Sequence, residues 1–156
     1  MDARFTIIAD AFALATTAKT ACNVIASATA NATIVEIGAS VDQGTGRCLV
    51  ELFESTQATA GTVGSSTGAK QLGGYAAGTD GTPACTYGRE YSAEPTVLTV
   101  LKSWWFPCPG PLVIQFPLGR EPKTLLSGST NHKAIGIRLK VDTGTPTCEA
   151  YLEWEE

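Results

Sequence analysis

Near the end of the chain, apolar and polar side chains alternate with a period of two, which a strand can satisfy and a helix of 3.6 residues per turn cannot. In "AIGIRLKVD", Ile135, Ile137, Leu139 and Val141 share one face, and Gly136, Arg138, Lys140 and Asp142 the other. In "TCEAYLEWEE", Cys148, Ala150, Leu152 and Trp154 point one way and Glu149, Glu153 and Glu155 the other. The Gly/Pro segment "DTGTP" between them has hairpin length, so a C-terminal hairpin is expected. In it, Arg138 and Lys140 would share a solvent face with the glutamates of the partner strand. A second hairpin is expected from "ATIVEIGASVD" through "QGTG" into "RCLVELFES". Val35, Ile37, Ala39 and Val41 alternate with polar or small residues. The return strand carries Cys48, Val50 and Leu52 on one face and Leu49 and Phe53 on the other, so it should be covered twice.

"RFTIIADAFAL", "KTACNVIAS", "LVIQFP" and "KTLL" read as further strands. "TVLTVLKSWWFP" is largely apolar on both faces and is expected to be a central strand, since its β-branched and aromatic residues and terminal Pro107 argue against a helix. Many short strands with frequent turns predict an all-β fold, an antiparallel β-sandwich or jelly roll, as a single domain over residues 1–156. Residues 56–95, rich in Gly, Ser, Thr and Ala, are too many for an ordinary connection. They are expected to form a long loop or arm, either disordered or ordered by partners; Tyr75, Tyr87 and Tyr91 favour ordering because they give it something to bury.

Composition narrows the function classes. The formal net charge is −4 with no basic stripe, which argues against nucleic acid and anionic membranes as partners. No apolar run is long enough to span a bilayer as a helix, and Asp2 and Asp10 interrupt the N-terminal apolar stretch, so neither a membrane span nor a secretory signal is expected. Ala, Thr and Gly make up more than a third of the chain, a surface that loses little side-chain entropy when buried against other subunits. Five cysteines, widely spaced and odd in number, match no zinc or redox motif. Cys48 and Cys148 fall in apolar phase as small hydrophobes, and a bridge between Cys85 and Cys108 is an open alternative.

No metal, cofactor or catalytic group is expected. His132 is the one histidine and has no nucleophile elbow to serve. The glutamates at the chain end alternate with apolar residues and read as a solvated face. Trp104 and Trp105 must point to opposite faces of a strand, one to the core and one outward. The tripeptide Gly-Arg-Glu occurs twice, at 88–90 and at 119–121, each time beside a strand and near a proline. It reads as a turn device in which Arg89 and Arg120 clamp loops or cross a subunit interface, with Glu90 and Glu121 available as ion-pair partners.

The phrases "TAKTACNVIA", "VEIGASVD", "LVELFESTQATAG", "YSAEPTVLTVLKSW", "IQFPLGREPK", "AIGIRLKV" and "AYLEWEE" together resemble small structural proteins of tailed bacteriophages, of the kind that decorate and cement the head. The resemblance implies a β-rich homo-oligomer, often a trimer, made in the host cytoplasm and bound on the outer surface of the virion head, with the major capsid protein as partner. It implies no enzyme activity. The expected contact residues are Tyr75, Tyr87, Arg89, Tyr91, Trp104, Trp105, Arg120 and Glu121. A tail or fibre module that stacks a host glycan on Trp105 or a tyrosine is the alternative.

Overall fold

A computed structural model describes residues 3–55, 61–65, 68–72, 82–95, 98–125 and 133–156. Ten strands run in chain order: β1 (Arg4–Ala13), β2 (Lys19–Ile25), β3 (Thr33–Val41), β4 (Arg47–Ser55), β5 (Lys70–Leu72), β6 (Thr86–Arg89), β7 (Leu98–Pro107), β8 (Gly110–Gln115), β9 (Ala134–Val141) and β10 (Thr147–Glu155). They form two antiparallel five-stranded sheets, ordered β5-β1-β10-β3-β8 and β6-β2-β9-β4-β7. The fold is an all-β sandwich, as the alternation predicts. No two strands consecutive in sequence are hydrogen-bonded neighbours, and each of β1/β2, β3/β4, β7/β8 and β9/β10 splits between the sheets at matching positions. This doubly wrapped order is that of a jelly roll.

Both expected hairpins are therefore corrected. β9 lies in the second sheet and β10 in the first; β3 and β4 are divided in the same way. The turns "DTGTP" and "QGTG" are arches from sheet to sheet. An alternating strand needs one buried face, and that face is buried equally well whether the next strand lies beside it or opposite it. Arg138 accordingly pairs across the sheet with Glu51 of β4, at 2.5 Å, and not with a glutamate of β10. The described part of "KTLL", residues 123–125, forms only an isolated bridge between Lys123 and Thr33, with the Thr124 hydroxyl accepting from the Ala32 amide at 2.8 Å.

The core lies between the sheets, where the inward residues of the alternating strands meet. Trp154, Ile7, Ile37, Leu52, Ile137, Leu139 and Leu152 are fully buried there. Phe5 stacks on Trp154 with ring centroids 5.6 Å apart, and Tyr87 approaches the same indole at 6.0 Å. β4 is covered on both faces as expected, with Leu49 and Phe53 buried on the side away from the core. Phe53 lies over Gly136 of β9, where an added Cβ would stand 2.8 Å from its Cζ and 2.6 Å from the Cys22 carbonyl oxygen.

The described parts of the 56–95 segment close one side of the sandwich. β5 extends the first sheet at β1, and β6 extends the second at β2. Two further stretches, 61–65 and 90–95, fold over the outside of the second sheet. The Thr62 amide donates to the Ala93 carbonyl at 2.9 Å, and the amides of Glu90 and Tyr91 donate to the carbonyls of Ala21 and Thr20. The Glu94 carboxylate accepts from both the amide and the hydroxyl of Thr20, at 2.7 and 2.5 Å.

Cys85 and Cys108 do not meet. The Cys85 amide donates to the carboxylate of Glu156 beside the end of β10, whereas Cys108 bonds Gly46 next to the arch that precedes the start of β10. The nine residues of β10 separate them. All five cysteines are buried and unpaired. Burial pushes the thiols of Cys22, Cys48, Cys85 and Cys148 from 9.0 up to about 12.

Candidate interaction surface

The β7–β8 side is open. Among the described residues β7 is an edge strand of the second sheet, bonded only to β4, and β8 is an edge strand of the first, bonded only to β3. The expected central position of β7 is corrected here. Its apolar residues on both faces are not enclosed, so its composition reflects an edge with apolar exposure. Val100 is 40%, Leu101 41% and Trp105 46% exposed, and on β8 Val113 is 55% exposed. Leu118, in the turn after β8, is 96% exposed. Among the described residues eight large apolar side chains are exposed, and six of them lie between residues 98 and 125. An edge of ten residues with free backbone groups and apolar side chains is a template for another chain. Partial protection is present: the register shift opposite Leu52 and Phe53 bulges β7 at Leu101, and Pro107 and Pro111 have no N–H to present.

The structure divides the expected contact residues between opposite sides. Trp104 is half-buried against the core, while Trp105 points outward with the Arg47 guanidinium 4.5 Å from its ring centroid. Both belong to the open side. So does the second Gly-Arg-Glu, in a turn closed by the Arg120 amide on the Pro117 carbonyl at 2.9 Å, with Gly119 at φ +80°. This is the conformation of the third residue of a type II turn, which favours glycine. Among the described residues no side-chain clamp by Arg120 is present; its side chain is exposed, and Glu121 is half-buried. Glu121, Leu118, Phe116 and Gln115 line a depression of about 240 Å³ together with Arg4, Glu36 and Glu155.

The first Gly-Arg-Glu lies on the closed side and is used within the fold. Gly88 is part of β6, and a Cβ there would stand 2.5 Å from Val63 and 2.8 Å from the Tyr91 hydroxyl. The left-handed conformation falls on Glu90, at φ 55°. Arg89 does clamp, donating to Glu90 at 2.9 Å and to the Ile8 carbonyl at 3.2 Å. Tyr91 is 2% exposed; burial pushes its phenol up to about 12, with the neighbouring Asn23 pulling the other way. Tyr87 is occupied by Trp154. Tyr75 and His132 lie outside the described residues.

Charge follows the same division. Residues 98–125 carry Lys102, Arg120 and Lys123 against Glu121, a net +2 in a chain of −4. The outer face of the first sheet is acidic. There Glu36 accepts from the Tyr151 hydroxyl at 2.5 Å and from Gln115 at 2.7 Å, and Glu153 pairs with Arg4. Among the described residues no three His, Cys, Asp or Glu side chains gather as metal ligands. A second depression, about 560 Å³, lies between the two arches and is lined by Gln43, Thr45, Thr143, Thr145, Pro146 and glycines, none of them titratable.

No protein-family model matches the chain, and no curated protein does. Among solved structures, a crystal structure of PirA aligns with 97% of this chain and 94% of that one, at 8% identity and a TM-score of 0.41. A structure of infectious bursal disease virus, Gt strain, aligns with 99% of this chain and 38% of that one, at 14% identity and a TM-score of 0.19. The VP2 subviral particle of the same virus gives 11% identity and a TM-score of 0.14. At these scores none of the likenesses bears on function.

Proposed function

We propose that this protein acts by assembly, as a non-enzymatic structural protein of a phage virion that decorates the outside of the head and stabilises the shell. The observation that carries the reading is the open β7–β8 side, two adjacent edge strands with Val100, Leu101 and Trp105 of β7 in solvent. A monomer that works alone has reason to blunt such an edge; one that works against other protein copies has reason to keep it. The sequence resemblance supplies the head surface as the place and the major capsid protein as a partner. A decoration protein needs no reacting group, because binding the mature shell and not its free subunits stabilises the shell by mass action.

The test is co-sedimentation with undecorated expanded shells of the phage that encodes the chain, followed by melting of the shells. Saturable binding and a raised shell melting temperature are expected, both reduced by Trp105→Ala with Val100→Asp. Absence of binding to those shells, together with specific binding to a glycan array that Trp105→Ala abolishes, would replace this reading with a glycan-binding one.

A further inference from the structure

We infer that a second copy of this chain covers the open side, with the β7–β8 side of one copy seated on the outer face of the first sheet of the next. The inference rests on the assembly reading and names the partner surface. The two surfaces are complementary in both charge and apolar content. The open side offers Trp105, Leu101 and Val100, with Lys102 and Lys140 around them, while Arg47 is held by Asp142 at 3.0 Å. Lys102 and Lys140 have no acidic partner among the described residues, and Lys102 stands at the mouth between the sheets, its Nζ 6.0 Å from the Phe116 ring centroid.

The outer face of the first sheet offers the reverse. Asp10, Glu149 and Glu155 project there and pair with no cation among the described residues. Ile8, 40% exposed, and the half-buried Tyr151 supply an apolar centre between them. Like charges oppose the alternative in which two β7 edges pair about a twofold axis, because each would bring its own Lys102 and Lys140 to the contact. The contact is therefore heterologous: each copy uses one surface as donor and the other as acceptor, and successive copies close into a ring where the rotation allows.

Light scattering and native mass spectrometry of the full chain test this with two variants. One spoils the open side (Lys102→Glu with Trp105→Ser); the other spoils the acidic face (Asp10→Lys with Glu149→Lys). All four residues are exposed, and thermal melting confirms that each variant is folded. The wild type should associate at low salt and dissociate at least tenfold more readily in 1 M salt, where the screening length is about 3 Å. Each variant alone should be monomeric. Mixed, they should form a dimer and no larger species, since one intact donor surface then meets one intact acceptor surface. A face variant that still associates alone, or a mixture that stays monomeric, overturns the inference. So does a wild type that is monomeric at low salt and high concentration. None of these results depends on shell binding, so the decoration reading stands or falls separately.

Discussion

Replacing Gly136 with alanine should destabilise the protein while leaving every core side chain in place. Gly136 sits in β9 between β2 and β4, and its outer face is roofed by Phe53. The new methyl would stand 2.6 Å from the Cys22 carbonyl oxygen, 2.8 Å from Phe53 Cζ and 3.1 Å from Asn23 Cβ. The phenyl ring can shift, but the carbonyl belongs to the β2–β9 ladder and cannot move without breaking it. Overpacking of this kind costs about 1–3 kcal/mol, and the backbone contact puts this site near the top of that range. Loss of glycine's freedom in the unfolded chain offsets about 0.4–1 kcal/mol. The net is about 2 kcal/mol, or a fall in Tm of about 4–8 °C for a domain of this size. Urea and thermal unfolding measure it, and Phe53→Leu in the same background separates the two clashes. Removing the ring tip should recover about 1 kcal/mol and leave the carbonyl clash. Gly136→Ala within about 0.5 kcal/mol of wild type would refute the covered outer face of the second sheet.

The two Gly-Arg-Glu copies should respond differently. Arg89→Ala loses the bonds to Glu90 and the Ile8 carbonyl and should cost about 1–2 kcal/mol; Arg120→Ala should lie within about 0.5 kcal/mol of wild type, and equal effects in denaturant titrations would contradict the division. Stability should fall steeply in alkali. Cys22, Cys48, Cys85 and Cys148 keep their protons in the fold up to about 12 because they are buried, whereas the unfolded chain releases them near 9.0. Their contribution is complete below pH 9.0 and is lost as pH rises to about 12, at about 1 kcal/mol per pH unit for each thiol. A urea midpoint unchanged between pH 9 and 11 would be inconsistent with that burial. Under non-reducing, oxidising conditions no Cys85–Cys108 bridge should appear in peptide maps of folded protein, and its recovery in good yield would place those two residues wrongly.

Alternation was enough to locate most of the strands and to choose their inward faces. Ile135, Ile137, Leu139, Cys148, Ala150, Leu152 and Trp154 all point inward as their phase requires. Pairing was not legible, because phase fixes which way a side chain points and not which strand lies beside it. "DTGTP" and "QGTG" satisfy the local needs of a hairpin and of an arch alike, and only the whole set of ten strands decides between them. β7 misled for a related reason. Apolar residues on both faces signal a covered strand when the cover lies in the same chain, and an exposed edge when it does not. Within the 56–95 segment, β5 and β6 are only three and four residues long, too short to show a period. Of the expected contact residues, Trp104 and Trp105 were recognisable as facing opposite ways, but not which of them faces outward. Tyr91 was legible as something for the segment to bury but not where, since its pocket includes Asn23 and Gly61, distant in sequence.

The central claim is that protein covers the β7–β8 side in the working state. Backbone amide exchange measures this directly, comparing the dilute chain in high salt with the same chain bound to undecorated shells. The account predicts that amides of residues 98–115, fast in the dilute chain along its open edge, become strongly protected on the shell. Exchange there that is unchanged in shell-bound protein, with new protection confined to other strands, would contradict it.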